Sequence, residues 1–410
     1  MQDQQIYIIG AGVSGLIAAY ELEQAGYQPT IIEKSGDVGG RVKTLSEKGY
    51  DLDLGFQVLL SAYPLANHYL DMDKLDLVKL ESGALIYAHG KSILIGDPLR
   101  NRKVLIPTLF AAIGSVGDKL KILQLNRRLA KKSLEAIFDS PEMTTLQYLY
   151  QFGFSPKIID RFFKPFFAGI FLEPELSTSS RMFEFVYKMF GEGYATIPKL
   201  GIGAISHQLK DKLKNTTFRF NTEVKDVTND SIQLGSGEQI QHNGVILAAN
   251  ASSLMSKLED QDTAWKSCMC LYFEVDSTNI PDRTIALLAD AGNVANNLYA
   301  YTDHKTGNTI LSVTCLQFKG QTNEELIAKI TAEIKEYTGA NTISYIHHYT
   351  IHQALPNTSN LRMTAQPSES QVMENVYLAG DYLFNGSLNA AMESGRLAAL
   401  GLVEKKQNVL

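Results

Sequence analysis

A chain of 410 residues is too long for one ordinary hydrophobic core, so two domains are expected. Its 45% apolar and 20% charged content is that of a globular protein, and no apolar run reaches the length of a membrane-spanning helix. A net charge of −6 gives no general attraction to nucleic acid, and three cysteines cannot build a disulfide framework. Cys268 and Cys270 alternate inside the apolar, strand-like run "KSCMCLYFEV" and read as buried thiols rather than metal or redox groups; Cys315 is the third. The first strand is expected from Ile6 with no basic-then-apolar leader before it, so the chain reads as cytoplasmic.

Ile6–Ile9 is a short β-branched strand, followed by Gly10, Gly12 and Gly15 and by a periodic helix that ends at Gly26. A second strand, "PTIIE", closes a βαβ unit at Glu33. The three glycines differ in mechanical role. Gly10 makes the tight turn, Gly12 lets the backbone approach a pyrophosphate, and Gly15 permits close helix–strand packing. The helix start at Val13 and Ser14 offers unpaired N–H groups to phosphate. Glu33, 23 positions after Gly10, is placed to accept hydrogen bonds from a ribose diol and to repel a 2′-phosphate, which disfavours NADP.

"KSGDVGGRVKT" follows at once, from Lys34 to Thr44. A plain NAD domain needs no Gly39-Gly40-Arg41 here; a longer dinucleotide does, because its diphosphate extends past the first loop. Gly39 and Gly40 let the main chain pass close, and Arg41, beside Val42, supplies a charge-assisted contact. This order of strand, glycine loop, helix, acidic residue and GGR resembles the flavoprotein superfamily of monoamine oxidases, protoporphyrinogen oxidases and phytoene desaturases. The resemblance implies FAD as cofactor. It also implies that "DLDLGFQVL" (Asp51–Leu59), with Gly55, Phe56 and Gln57, passes near the flavin.

Residues 66–199 are expected to be mainly helical after a hairpin, "ALIYAHGKSILIG". Residues 104–133 join a short apolar patch to a basic helix carrying Lys119, Lys121, Arg127, Arg128, Lys131 and Lys132 against a single acid, Asp118. They read either as an interfacial element touching the membrane or as a lid with a solvated face. The stretch from Arg161 to Pro198 is unusually aromatic, with Phe162, Phe163, Phe166, Phe167, Phe171, Phe183, Phe185, Tyr187 and Phe190 as core or cavity lining. "PFFAGIF" and "EPELSTSS" resemble the segment of protoporphyrinogen oxidase-type enzymes that flanks an apolar substrate cavity. Arg161 and Lys164 are either partners for a substrate carboxylate there or a solvated face.

"LGIGAISHQL" carries Gly201 and Gly203 but no third glycine, so a tightly held NAD as second cofactor is not expected. The resemblance aligns Val224 in "NTEVKDVT" with backbone contacts to adenine, and Ala248 and Ala249 in "GVILAAN" with the diphosphate. Residues 261–354 then read as five strands and one helix, "NEELIAKITAEIKEYTG". His347, His348 and His352 in "YIHHYTIHQ" lack a nearby carboxylate or cysteine, so a metal site is not expected.

At the far end, Val376–Ala379 is a strand, Gly380-Asp381 a turn, and Asn389–Leu400 a helix rich in small residues. The arrangement resembles the superfamily's C-terminal flavin motif. It implies Asp381 on ribityl hydroxyls and, under Ala390 and Ala391, a helix start aimed at the ring edge where negative charge collects on reduction. Ser387 stands where amine oxidases place a cage tyrosine, and Met269 stands where they place a flavin lysine, with Lys266 three residues earlier. Residues 316–410 contain no cysteine for covalent attachment, so the FAD is expected to be noncovalent.

The fold expected is α/β. A discontinuous Rossmann-like FAD-binding domain (1–65, 200–260, 355–410), with the glutathione-reductase-like βαβ unit, carries an inserted α+β substrate domain (66–199, 261–354). The function expected is an FAD-dependent oxidoreductase acting on a bulky apolar small molecule, isoprenoid- or tetrapyrrole-like, with oxygen or a quinone as electron acceptor. Gln57, Ser387, His352 and Tyr301 are the candidates to line the flavin face. An amine oxidase with an altered cage and a non-catalytic carrier of the same fold are the alternatives.

Overall fold

Strand Ile6–Ile9 lies inside a six-stranded sheet in the order Thr217–Arg219, Thr30–Ile32, Ile6–Ile9, Gly244–Leu247, Val376–Leu378, Gln371–Met373. The structure is a computed structural model and describes residues 5–96, 114–255, 263–290 and 292–408. All pairings in this sheet are parallel except that of the edge strand Gln371–Met373. Parallel strands are covered on both faces, and Ile8, Ile31 and Ile246 are accordingly wholly buried. One face is covered by helices Val13–Gln24 and Leu388–Asn408, which lie against each other. On the other face a three-stranded sheet (Val224–Val227, Ser231–Leu234, Gln239–Gln241) packs Val224, Val227 and Ile232 on Ile9, Ile32 and Leu247. Strands from three widely separated parts of the chain thus form one layer.

The crossing of the two helices depends on Gly395. A Cβ there would fall 2.2 Å from the carbonyl oxygen of Ser14. Gly15 does the same for helix on strand, with a Cβ only 2.0 Å from Gly10 O. These contacts seal the first and last helices of the chain over one sheet.

A second sheet has seven strands in the order Ile343–Pro356, Trp265–Val275, Thr309–Cys315, Ala295–Thr302, Ile285–Leu288, Gly83–Ala88, Lys91–Gly96. Its outer face buries Met269, Leu271, Phe273, Leu298 and Val313 against Leu326, Ile330 and Ile334 of helix Asn323–Thr338. The hairpin expected in the helical insertion instead joins this sheet through a parallel ladder, with Ala84 opposite Ile285. Helix Lys164–Phe171 packs on strands Ile285–Leu288 and Ala295–Thr302 of this sheet, and the rings of the segment from Leu134 to Glu192 form a chain of contacts such as Phe167–Phe183 at 4.8 Å and Phe154–Phe163 at 4.9 Å. A π-helical turn, Ile159–Phe163, joins Pro156–Ile158 to Lys164–Phe171 within that cluster.

The glycines of "LGIGAISHQL" serve packing. Cβ atoms on Gly201 and Gly203 would lie 2.4 Å from Thr44 Oγ1 and 2.6 Å from Thr44 N, so this turn sits on hairpin Thr44–Glu47/Tyr50–Asp53. Residues 104–113 of the apolar patch lie outside the described residues.

Two glycine-to-alanine changes should separate in thermal unfolding. Gly395→Ala should cost about 1–3 kcal/mol, because Ser14 backbone cannot give way. Gly191→Ala, in a helix with nothing within 4 Å of the added Cβ, should be neutral or stabilise by up to about 1 kcal/mol. Equal melting temperatures for the two variants would contradict the close helix crossing.

Candidate functional site

The glycine loop and the GGR segment meet as two backbone strips. Gly12 and Gly39 form a parallel β-bridge, and Gly39 N–H donates to Ala11 O at 2.9 Å. Gly40 has a φ of +58°, and a Cβ there would press on Gly12 Cα at 3.3 Å. A Cβ on Gly12 itself would meet nothing closer than 4.0 Å, so open space lies over the loop. The helix Val13–Gln24 starts there with no side-chain cap and no acidic residue in its first turn. Its first N–H groups are left for an anion. Glu33 ties the loop to the second strand: its Oε2 accepts from Ala11 N and its Oε1 from Ser35 N, both at 2.8 Å. Each carboxylate oxygen keeps a lone pair for another donor. An open glycine trough, an uncapped helix start and an acid beside them fit the diphosphate and ribose of a dinucleotide.

The C-terminal motif closes onto this loop. Arg41 Nη1 donates to Asp381 Oδ2 at 3.0 Å, Nη2 pairs with Oδ1, and the guanidinium lies 5.1 Å over the Trp265 ring. Asp381 is 5% exposed and Arg41 37%, so the acid is the buried partner. Ser394 Oγ accepts from Gly380 N at 2.9 Å and lies 3.3 Å from Ser14 Oγ, a second link between the two ends. Arg41 and Asp381, both expected on the dinucleotide directly, thus also hold each other.

Above these motifs runs one cavity of about 1550 Å³. Its lining includes Gly10, Gly12, Val13, Ser14, Glu33, Lys34, Gly39, Gly40, Arg41, Val42, Gly55, Phe56, Gln57, Val224, Ala248, Ala249, Gly380, Asp381 and Ala391. Gly15, Asn389 and Ala390 do not line it; the alanine and asparagine are wholly buried beneath, with Asn389 Oδ1 accepting from Leu65 N at 3.0 Å. The volume exceeds the roughly 300–1,000 Å³ common for a single ligand pocket. Its other end is walled by Phe166, Ile170, Phe171, Met182, Val186 and Phe190. Of the aromatic run, then, Phe166, Phe171 and Phe190 face the cavity, while Phe163, Phe167, Phe183 and Phe185 are core.

Of the other expected residues, Gln57 and Ser387 line the cavity, while His352, Tyr301, Arg161 and Lys164 do not. His352 is exposed and outside the cavity, although Ile351 and Gln353 on either side of it line the cavity, because the ladder is irregular between Ile351 and Leu355. Tyr301 also lies outside it, packed with Leu52, Cys270 and Tyr272 further along the strand from Asn297. Ser387 lines the cavity, but its Oγ accepts from Ala390 N at 3.0 Å and donates to Asn385 Oδ1 at 2.7 Å. It is a helix cap with both roles filled. Gln57 Nε2 holds Arg41 O at 2.8 Å and Leu54 O at 3.0 Å, shaping the GGR backbone. Arg161 and Lys164 do not line the cavity, and Lys164 pairs with Asp160 at 2.8 Å. In the basic helix, Lys132 and Arg128 reach Glu184. Burial works against the Asp118 carboxylate, yet hydrogen bonds from Ser155 and Ser115 hold it down to about 2, so this acid is a helix cap.

Lys266, not Met269, is the strand residue that reaches the site. Ordinary strand alternation sets Lys266 and Cys268 on the face toward the cavity and Met269, with Leu271 and Phe273, on the outer face. Lys266 Nζ donates to Thr178 Oγ1 at 2.7 Å, and burial pulls its pKa down. The signal for it in the sequence is a lysine at the start of an otherwise apolar strand. Among the described residues no cluster of three His, Cys, Asp or Glu is placed to hold a metal ion.

This fold and site define a dinucleotide-binding flavoprotein class. The chain belongs to the flavin-containing amine oxidoreductase family, a family of FAD-dependent oxidoreductases, whose sequence profile matches residues 13–402. Protoporphyrinogen oxidase 2 of Arabidopsis thaliana is 28% identical over 171 residues, 40% of this chain and 32% of that enzyme. The 4,4′-diaponeurosporene oxygenase of Staphylococcus haemolyticus is 35% identical over 83 residues, 20% and 16% of the two lengths. The chain therefore aligns with about a third or less of these relatives. An oxidoreductase structure from Methanosarcina mazei shares the fold across 98% of this chain and 100% of its own, with a TM-score of 0.72 at 16% identity.

Arg41→Ala should cost about 3 kcal/mol by stranding the Asp381 carboxylate, and adding Asp381→Asn should recover much of it. A double-mutant cycle in urea is expected to show coupling of about 1–3 kcal/mol; coupling near zero would remove the pair from the structure's supports. Asp53, closed in under Thr44 Oγ1 at 2.6 Å and Ile202 N at 2.9 Å, is pushed up to about 6 by burial. The folded state thus holds a proton that the unfolded chain has released between about pH 4 and 6, so this group's contribution to stability falls as pH rises through that window. Asp53→Asn should gain on the order of 2 kcal/mol over the parent at pH 7 relative to pH 4. A pH-independent difference in melting would rule this out.

Proposed function

We propose that this chain holds FAD noncovalently along the cavity and uses it to oxidise or desaturate an apolar small molecule, isoprenoid- or tetrapyrrole-like. The observation that carries this reading is the continuity of the cavity, from the glycine trough at one end to the aromatic and aliphatic wall at the other. Glu33 would take the ribose, Gly10–Ser14, Gly39–Arg41, Ala248 and Ala249 the diphosphate, and Val224 the adenine. Gly55–Gln57, Asp381 and Ala391 would take the flavin side. Strands from residues 1–65, 200–260 and 355–410 would act as one discontinuous Rossmann-like nucleotide-binding domain, the two insertions as the substrate domain.

FAD, when bound, supplies the two-electron acceptor. The chain's own contribution is to place a substrate C–H bond beside it and keep water out, which the wall of Phe166, Phe171, Met182 and Phe190 is suited to do. Noncovalent binding is supported by the cysteines, all three buried on the seven-stranded sheet. The cavity-lining Cys268 thiol is pushed up to about 12 by burial and stays a poor nucleophile. Oxygen or a quinone would accept the electrons. Helix Val116–Lys131 exposes Val116, Leu120 and Leu123 on one stripe, which supports peripheral membrane contact.

An amine substrate is the second reading, supported by the family and by Lys266 in the cavity. The purified protein should carry the visible absorption of oxidised flavin and release the cofactor on denaturation. Anaerobic bleaching by porphyrinogens or carotenoid precursors, and not by amines, is the expected result. Bleaching by amines alone would transfer the assignment to the second reading, and a protein that never takes up FAD would be a carrier of this fold.

A further inference from the structure

Two polar side chains that line the cavity from the seven-stranded sheet each hold a buried polar atom without a protein partner. Asn297 and Thr314 are directly opposite each other in the antiparallel ladder of Ala295–Thr302 and Thr309–Cys315, and each is 4% exposed. Both line the cavity. Asn296 Nδ2 donates to Pro165 O at 3.3 Å and to Asn297 Oδ1 at 3.2 Å. That pair orients the Asn297 amide and uses its oxygen, leaving Nδ2 unpartnered; Thr314 Oγ1 is unpartnered as well. Gly169 lies over this corner, where a Cβ would come 2.7 Å from Asn296 Nδ2 and 3.1 Å from Asn297 Oδ1. Helix Lys164–Phe171 can lie this close because that position has no side chain.

The surroundings are uncharged. Across the sheet the row reads Cys270, Thr314, Asn297, Leu287, Ile86, and Ile285 and Phe171 also line the cavity. A buried donor left unpaired is costly, and leucine or valine would fill the same volume without that cost. Among the described residues four cations line the cavity: Arg41 is engaged on Asp381, Lys43 on Ser35 and Asp37, Lys266 on Thr178, and Lys34 directly follows Glu33 at the nucleotide end. The free amide N–H₂ would repel an ammonium, and no charge stands in the row to hold a carboxylate.

We propose that Asn297 and Thr314 form a subsite for a neutral carbonyl oxygen on an otherwise apolar substrate, with Asn297 Nδ2 and the Thr314 hydroxyl as its two donors. The proposal rests on the oxidoreductase reading for the word substrate, but the subsite is a property of the chain's own side chains. It restricts the substrate class from hydrocarbons in general to oxygenated ones, and it sets this end of the cavity against amines.

The test uses three probes of one shape on the FAD-loaded protein: acetophenone, ethylbenzene and α-methylbenzylamine, with binding read by calorimetry. Acetophenone is expected to bind about tenfold more tightly than ethylbenzene, the yield of one or two neutral hydrogen bonds. Thr314→Val, nearly isosteric, should lower acetophenone affinity about threefold and leave ethylbenzene unchanged. Asn297→Leu with Thr314→Val should erase the preference. Equal binding of ketone and hydrocarbon by the parent protein, or a preference that survives Thr314→Val undiminished, would overturn the subsite, as would tighter binding of the amine. Calorimetry does not need the flavin. A protein that takes up no FAD yet prefers the ketone would sink the oxidoreductase reading and leave this one standing.

Discussion

Everything that makes a site here depends on bringing residues 340 positions apart into one ion pair, Arg41 with Asp381. The acid is nearly closed off from water, and burying a carboxylate is a cost that the guanidinium must offset. Three further contacts support it. Gly395 lets one helix settle on Ser14, Ser394 reaches Gly380 and Ser14, and Arg41 lies over Trp265 from the second sheet. A mixed α/β fold of this kind cannot assemble its glycine trough locally, because the parts that floor it come from both ends of the chain.

The second constraint is that two sheets must face each other without filling the gap. The seven-stranded sheet spends its outer face on helix Asn323–Thr338, packed with Leu, Ile and Val. Its inner face carries a thiol, an amide, a hydroxyl and a lysine beside Ile285 and Leu287. That asymmetry is what leaves a cavity in place of a third core layer. The aromatic helices close it, and they do so by dividing their rings between core and lining, with adjacent residues such as Phe166 and Phe167 going to opposite sides.

Much of the nucleotide end is legible in the sequence. The βαβ unit, Gly10-Gly12-Gly15, Glu33 and GGR are local in the chain, and each glycine answers to a backbone clash or turn that a pattern can express. Strands and the helix of residues 261–354 are readable too, since periodicity is a local property. The far end of the cavity is not. Whether a strand residue faces inward depends on which face the fold turns to the gap, and in Trp265–Val275 that face carries Lys266 and Cys268 and not Met269. His352 departs from expectation, exposed between two neighbours that line the cavity, while Ser387 lines the cavity as expected but is consumed as a cap.

By itself, then, the amino-acid order determined the chemistry of the two ends: which backbone stretches must run bare, where an acid stands, and that no cysteine follows Cys315. Folding in three dimensions decided which side chains those ends share and what faces them across the gap. The pairing of Arg41 with Asp381, the hairpin's entry into the second sheet, and the placing of Asn297 beside Thr314 are all long-range contacts. Each depends on packing and ladder register, which only the closed chain sets, because a shift of one residue in a strand exchanges its two faces.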